Sequence, residues 1–503
     1  MNKEIIIFHL NDTHARIFTD NDNGLSIGFD QITKVINLSL LENNNTLFFH
    51  GGDLIHGTPS INISKGMNLI EILNSMPLNA LVLGNHEWNF GEEQLLTFTK
   101  KLNSYVLCAN IVDKCTNDLL FLPYIIYDID VNQNDYISAH VNNSKNDNIK
   151  IGVFGLTTPE AAYKTHPDNV KNVNFLNPLI TAKSIVNLLK NNCDIIIALT
   201  HLGIDKSSEF TSELLANTVN DIDLIIDSHS HSILEHGLRV NNTLIVQAGA
   251  HNHYLGKVII TIDHKKIINM QASLLNEAQI DHIIHTPDPI ISNKLNNINN
   301  ETKQILEKPI AYCNHTLPGE RELVRKQETA IGNFTADAFK WFTEADIAIC
   351  NGGDIRSSLL KGNISYKDIL AIFPFQNYIN TYRITGQLIK ELLEHSIEFM
   401  PAAFGGFLSV SSNILFKFNS NLPPKNRIQQ IYINNKILNN NDEYILACSS
   451  FLAAGGDEYT MLKNIQEVQK FDTVENIIIQ YILQNNIDFK SIAINRSLNL
   501  FNN

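Results

Sequence analysis

Eight residues of metal-binding or acid–base type recur just after short apolar runs: Asp12, His14, Asp53, Asn85, His86, His201, His229 and His231. Carboxylate, imidazole and amide oxygen without thiolate suit a pair of borderline divalent ions, Zn²⁺, Mn²⁺ or Co²⁺. Asp12 with His14, and His229 with His231, stand two residues apart, a spacing that points both side chains to one face of an extended segment. Hydrolases that use two ions hold them roughly 3.5–4 Å apart and need a carboxylate between them. Asp53, after Gly51 and Gly52, is the best candidate for that bridge. A lone strand-end Asp or His is usually a turn or cap residue. Many such residues recurring in one context argue for a shared site.

The elements that must position these groups follow one pattern. Apolar, β-branched runs at 5–10, 46–50, 80–83, 150–156, 194–199 and 223–227 each end in a polar cluster and lead into a helix-like segment. Ligand-type residues follow five of the six; the run at 150–156 leads instead to Thr157-Thr158-Pro159. Strands alternating with helices predict an α/β fold with largely parallel pairing, in which ligands gather at the carboxyl ends of the strands. Between 127 and 150 the chain lapses into Asn, Asp and Ser, an expected exposed excursion. Pro287 and Pro289, followed by an apolar periodicity running to Ile305-Leu306, predict a connecting helix. The expected organisation is a domain over 1–286, a linker helix over 287–308 and a second domain over 309–503.

The second half has different punctuation. A helix with a small-residue face is expected over 328–339 and a strand over 345–350, ending at Asn351-Gly352-Gly353-Asp354-Ile355-Arg356. Phe373-Pro374-Phe375, Gly405-Gly406-Phe407 and Phe451-Leu452-Ala453-Ala454-Gly455-Gly456-Asp457 read as ligand loops, because glycine lets backbone approach a ligand closely.

Composition bounds the partners. The 503 residues exceed what one core organises, and 44% apolar against 18% charged residues is a globular profile. A formal charge of −14 disfavours nucleic-acid polymers, since no basic field exists to displace their counterions. A small anionic substrate needs only a few local cations. No run approaches the roughly 18 apolar residues that span a bilayer. The apolar run at 5–10 is too short for a secretory leader. Cys108, Cys115, Cys193, Cys313, Cys350 and Cys448 form no C-x-x-C pair and read as reduced thiols. A cytoplasmic monomer or homodimer is expected, or an extracytoplasmic protein if a leader is missing.

Asn11-Asp12-Thr13-His14, Gly52-Asp53, Gly84-Asn85-His86-Glu87, Thr200-His201-Leu202-Gly203 and Ser228-His229-Ser230-His231, taken together, resemble the metallophosphatase signature of the 5′-nucleotidase family. The 351–356 and 451–457 segments resemble that family's nucleotide-binding domain, so the likeness covers nearly the whole chain. It implies an N-terminal four-layer α/β/β/α metallophosphatase domain and a C-terminal α/β nucleotide-binding domain joined by a linker helix. It also implies two divalent ions, one held by Asp12, His14, Asp53 and His231, the other by Asp53, Asn85, His201 and His229. His86 would be catalytic, stabilising the phosphoryl oxygens or protonating the leaving group, with Asn89 orienting it and Glu87 as support. Arg356 would meet the phosphate, Phe375 and Phe451 would sandwich the base, Asp457 would take the ribose hydroxyls, and Asn351 would share that pocket. The implied reaction is hydrolysis of nucleoside 5′-monophosphates, and of nucleotide-sugar or other pyrophosphate bonds, as in bifunctional UDP-sugar hydrolases.

Two positions depart from the family pattern. Many relatives carry Asp where this chain has Asn89, and the Asn resembles the branch that cleaves 2′,3′-cyclic nucleotides and 3′-nucleotides. Relatives often carry Arg just before the E-T-x-x-G-N segment, where this chain has Gln327, with Arg325 and Lys326 close by. A non-catalytic nucleotide-binding protein is the rival from another class. His56, His166, His282 and His285 are expected to be solvated or loop residues, and His251 and His253 structural or rim residues.

Overall fold

A computed structural model describes residues 3–19, 26–129, 138–139, 148–162, 164–165, 167–206, 208–375 and 377–501. His166 and most of the excursion expected over 127–150 lie outside them. The chain divides into two compact units, Met1–Thr302 and Lys303–Asn503. The helix Pro289–Leu306 runs through the boundary and covers most of the expected linker.

The N-terminal unit is built on two sheets. One has six strands, ordered Lys266–Leu275, Leu255–Asp263, Lys3–Leu10, Thr46–His50, Ala80–Val82 and Tyr105–Leu107. The other has seven, ordered Leu238–Val240, Thr243–Val246, Leu224–Ile226, Ile195–His201, Ile149–Thr157, Tyr124–Ile129 and Ser138–Ala139. The strands that carry the expected site residues pair in parallel. The hairpin strands beside them are antiparallel, so the sheets are mixed rather than largely parallel.

Alternation along each strand makes the layers. Ile151, Val153, Ile195, Ile197 and Leu199 join the core shared with the six-stranded sheet. Their neighbours Phe154, Leu156, Ile196 and Ala198 face a second core with the helices Pro178–Leu189 and Ser212–Thr218. Phe29, Ile32, Val35 and Ile36 of the helix Phe29–Glu42 cover the outer face of the six-stranded sheet. This gives the α/β/β/α order and leaves the carboxyl ends of the parallel strands of both sheets free to carry polar groups.

The C-terminal unit centres on a five-stranded sheet, ordered Leu408–Val410, Ile347–Asn351, Glu443–Ser449, Tyr378–Thr385 and Glu467–Thr473. Its two faces again separate by alternation. Ala348 and Cys350 pack with the helices Ala330–Thr343 and Val474–Gln484. Ile347 and Ile349 pack with the helix Gly386–Ser396 and a four-stranded sheet containing Ile414–Phe418 and Ile428–Ile433. Buried Arg496 ties the E-T-x-x-G-N helix to the chain's end: its guanidinium meets both oxygens of Asp337, at 3.0 and 2.6 Å, and its backbone N–H donates to Glu328. Among the described residues, no helix is long and apolar enough to cross a membrane, and all six cysteines are free thiols.

Candidate metal centre

Beyond the ends of Lys3–Leu10 and Thr46–His50 the two backbones stay hydrogen-bonded, Asp12 N–H to Gly52 O at 3.0 Å and His14 N–H to Asp53 O at 2.9 Å. Here the chain leaves extended geometry. Asp12, His14 and Asp53 take φ of 48°, 46° and 54°, and His229 and His231 take 77° and 52°. Left-handed backbone costs an L-residue roughly 1–2 kcal/mol, and it persists where the surroundings over-determine it. The result differs from the extended geometry expected of these pairs. Asp12 and His14 do converge with His231, but His229 turns the other way and joins Asp53 and His201.

Glu87 holds this turn in place. It is buried, and its two carboxylate oxygens accept four backbone N–H groups: Gly84 at 2.6 Å, Asp53 at 2.8 Å, Leu54 at 2.6 Å and Ile55 at 3.2 Å. Gly84 is required beside it, because a Cβ there would lie 2.1 Å from Asp53 Oδ1 and 2.5 Å from the His201 ring. Asn11 braces the other side, donating to Asp12 Oδ2 at 2.8 Å and accepting from Ala248 N–H at 2.8 Å.

Three overlapping groups of donors result, each with its ligand atoms within 4.8 Å of one another: Asp12, His14 and His231; His14, Asp53 and His86; Asp53, His201 and His229. His14 Nε2 lies 3.0 Å from His231 Nε2, and His201 Nε2 lies 3.2 Å from His229 Nδ1 and 3.3 Å from both Asp53 Oδ2 and Asn85 Oδ1. All seven expected metal ligands therefore fall in one cluster, buried at Asp12, His14, Asp53, Asn85 and His201, half-buried at His229 and exposed at His231. His201 Nδ1 faces the Gly51 carbonyl at 2.9 Å, so that nitrogen carries a proton and Nε2 is the ring atom directed at Asp53 and Asn85.

The electrostatics call for added positive charge. Burial pushes the Asp12 carboxyl up to about 8, with Asp53 adding to the rise. Burial also opposes charge on Asp53, but His201, His86 and His14 outweigh it and hold that carboxyl well below its ordinary value. Burial alone would lower His201; Asp53 reverses this and raises it to about 10. Buried carboxylates beside inward-facing imidazole nitrogens, with an amide oxygen and no thiolate, fit divalent cations.

His86 is also buried and its Nε2 is 4.0 Å from Asp53 Oδ2. The Asn89 amide donates to its Nδ1 at 2.9 Å, which leaves the imidazole proton on Nε2, facing the centre. His56, expected to be a solvated or loop residue, lies in a loop but is not solvated: it is fully buried and stacks on His86, with ring centroids 5.6 Å apart and planes within 8°. His251 contacts the rings of His14 and His231 edge-on, as a rim residue would, while His282 and His285 are exposed.

In the C-terminal unit, Asn351 donates to Asp457 Oδ2 at 3.0 Å, and Asp457 takes φ of 47°. Gly405 lies against that carboxylate, where a Cβ would come within 2.6 Å of Oδ1. Phe375 and Phe451 are large apolar rings left 51% and 40% exposed, and the Arg356 guanidinium lies over Phe375, 5.3 Å from its centroid. Asp354 does not take Arg356 as a partner; it is buried, pushed up to about 7 by burial, and accepts from Asn377 at 3.4 Å. Sequence reasoning missed Arg325. Burial lowers this half-buried guanidinium from its ordinary value, with Arg321 and Arg356 near enough to repel it and Asp457 near enough to oppose that repulsion. Gln327, by contrast, is exposed.

Residues 5–232 match the family of calcineurin-like phosphoesterases and residues 309–464 the 5′-nucleotidase C-terminal domain. The trifunctional nucleotide phosphoesterase YfkN of Bacillus subtilis is 30% identical over 492 residues, 91% of this chain and 32% of that protein. This chain therefore spans about a third of that relative's length. A 5′-nucleotidase of Vibrio parahaemolyticus is 27% identical over 502 residues, 91% of this chain and 84% of that one. The structure of Haemophilus influenzae NAD nucleotidase shares the fold with a TM-score of 0.75 and 19% identity, over 99% of this chain and 97% of that one.

Glu87→Gln tests the brace. It replaces one accepting oxygen by a donor that faces two backbone N–H groups, an expected loss of about 2–4 kcal/mol. A lower urea midpoint together with reduced metal content would show that the turn and the donor cluster stand or fall together.

Proposed function

The chain belongs to the 5′-nucleotidase family, joining a calcineurin-like phosphoesterase domain to a 5′-nucleotidase C-terminal domain, and from that membership we propose a metal-dependent phosphoric monoester hydrolase acting on nucleoside 5′-monophosphates. Nucleotide-sugar and other pyrophosphate bonds are secondary substrates in this reading. The observation that carries it is the convergence of Asp12, His14, Asp53, Asn85, His201, His229 and His231 at the strand ends. The proposal assigns Asp12, His14, Asp53 and His231 to one divalent ion, and Asp53, Asn85, His201 and His229 to the other, with Zn²⁺, Mn²⁺ or Co²⁺ as the candidates. When bound, such ions polarise the phosphoryl group and lower the pKa of water beside them.

The chain's own residues supply the rest. His86, with its proton on Nε2, donates to a phosphoryl oxygen or to the departing nucleoside oxygen, a role worth typically about 10²–10⁴-fold in rate. Asn89 positions that ring from Nδ1, and His56 stacks against its face. In the C-terminal unit Arg356 and Arg325 are the proposed phosphate cations, Phe375 and Phe451 the base platforms, and Asp457 with Asn351 the ribose contacts. Stacking of that kind is worth roughly 1–3 kcal/mol per base and discriminates little among bases. The six free thiols support a reducing, cytoplasmic setting.

Asn89 favours a second reading, a 2′,3′-cyclic nucleotide phosphodiesterase with 3′-nucleotidase activity. Phosphate release from AMP compared with turnover of 2′,3′-cyclic AMP, each with added Mn²⁺, Co²⁺ or Zn²⁺, separates the two.

Asp53→Asn is expected to abolish hydrolysis of every substrate and to lower metal content, whereas His86→Ala keeps the metals and loses about 10²–10⁴-fold in kcat. An active Asp53→Asn enzyme contradicts the proposal. Arg325→Ala is expected to raise KM for AMP by roughly tenfold or more, the worth of one charge-assisted hydrogen bond, with a far smaller effect on adenosine inhibition. Equal losses for nucleotide and nucleoside would remove Arg325 from the phosphate site.

A further inference from the structure

Of the six strand ends marked in the sequence, one carries none of the expected ligands: Ile149–Thr157 runs into Thr158 and a single helical turn, Pro159–Ala162. That turn places Glu160 at the same end of the seven-stranded sheet as His201 and His229. Glu160 is 5% exposed. Its Oε2 lies 3.2 Å from His229 Nε2 and 2.7 Å from Lys164 Nζ. The opposite ring nitrogen, His229 Nδ1, lies 3.2 Å from His201 Nε2, inside the donor cluster.

We propose that Glu160, held by Lys164, is the positioning residue that keeps the His229 proton on Nε2 and so turns the Nδ1 lone pair toward Asp53 and His201. This rests on the assignment of His229 as a metal ligand. A carboxylate can only accept, so the Glu160 contact is a hydrogen bond only when Nε2 carries the proton. Lys164 Nζ also lies 3.3 Å from the same Nε2, a longer contact than its 2.7 Å bond to Glu160. Were Lys164 instead to donate to Nε2, the proton would move to Nδ1 and block the metal-facing lone pair. The 2.7 Å bond to Glu160 directs the ammonium away from that arrangement. His201 reaches the same outcome with opposite chemistry: the Gly51 carbonyl takes its Nδ1 proton and Nε2 faces inward. The two imidazoles thus direct opposite ring nitrogens, His201 Nε2 and His229 Nδ1, at one point.

Carboxylates that orient a ligating histidine typically contribute about 10–100-fold in metal affinity. The effect here is confined to one ion, because the Glu160 carboxylate meets His229 and Lys164 and none of Asp12, His14 and His231. The test is metal titration calorimetry on the full chain with Zn²⁺ and Mn²⁺, together with ¹⁵N NMR of the His229 ring in metal-free protein. Glu160→Ala is expected to weaken one of the two ions by 10–100-fold, leave the other unchanged, and convert His229 from a single Nε2–H tautomer to a mixture. Glu160→Gln, whose amide oxygen still accepts, is expected to recover most of the tautomer and part of the affinity. An unchanged His229 tautomer in Glu160→Ala, or equal weakening of both ions, overturns the inference. A wild-type chain that binds no ions overturns the parent assignment alone, since the tautomer measurement needs no metal.

Discussion

The N-terminal unit depends on keeping Asp53 buried and ionised. Its carboxylate sits at the meeting point of the donor groups, with His201, His86 and His14 around it, and Glu87 fixes three backbone N–H groups of its turn together with that of Gly84 beyond the next strand. A carboxylate in such a place would ordinarily take up a proton, because burial disfavours its charge. The surrounding imidazoles reverse that preference, and glycine at position 84 makes room for them. Sandwich, turn and histidine set act as one arrangement for holding negative charge where water does not reach.

Much of this was legible in the sequence for a specific reason. Short buried strands ending in Asp, Asn or His create a contrast that period-two patterning makes visible, and parallel α/β topology says where such ends meet. The ligand list and the two-unit division follow from that contrast. What remained hidden depended on backbone shape or on distant packing. The resemblance assigns His229 and His231 to different ions, but spacing alone puts them on one face, and it is left-handed φ values that send them to different groups. His56 looks like a loop histidine until the fold buries it against His86. Glu160 follows the one strand that seemed to carry no function, and a Glu in a turn has no distinguishing neighbours in sequence.

The C-terminal unit shows the same contrast at its loops. Asn351 and Asp457, 106 positions apart, are joined by a hydrogen bond, and glycines at 353 and 405 admit the Asp457 carboxylate. The glycine-rich motifs marked these loops in the sequence. Arg325 was obscured because the motif directed attention to the position nearer the helix, occupied by an exposed Gln327, while the half-buried guanidinium lies two residues earlier.

The left-handed ligand residues carry a consequence for how this protein tolerates change. Five side chains of the donor cluster sit on backbone that the unfolded chain visits rarely, and the packing of two sheets keeps them there. Proteins hold only a modest surplus of stability, and regions of low local stability open first. A substitution deep in the sandwich, remote from any ligand, will therefore register at the strand ends before it registers in the fold as a whole. Metal affinity in this molecule is a gauge of how firmly its two sheets are pressed together.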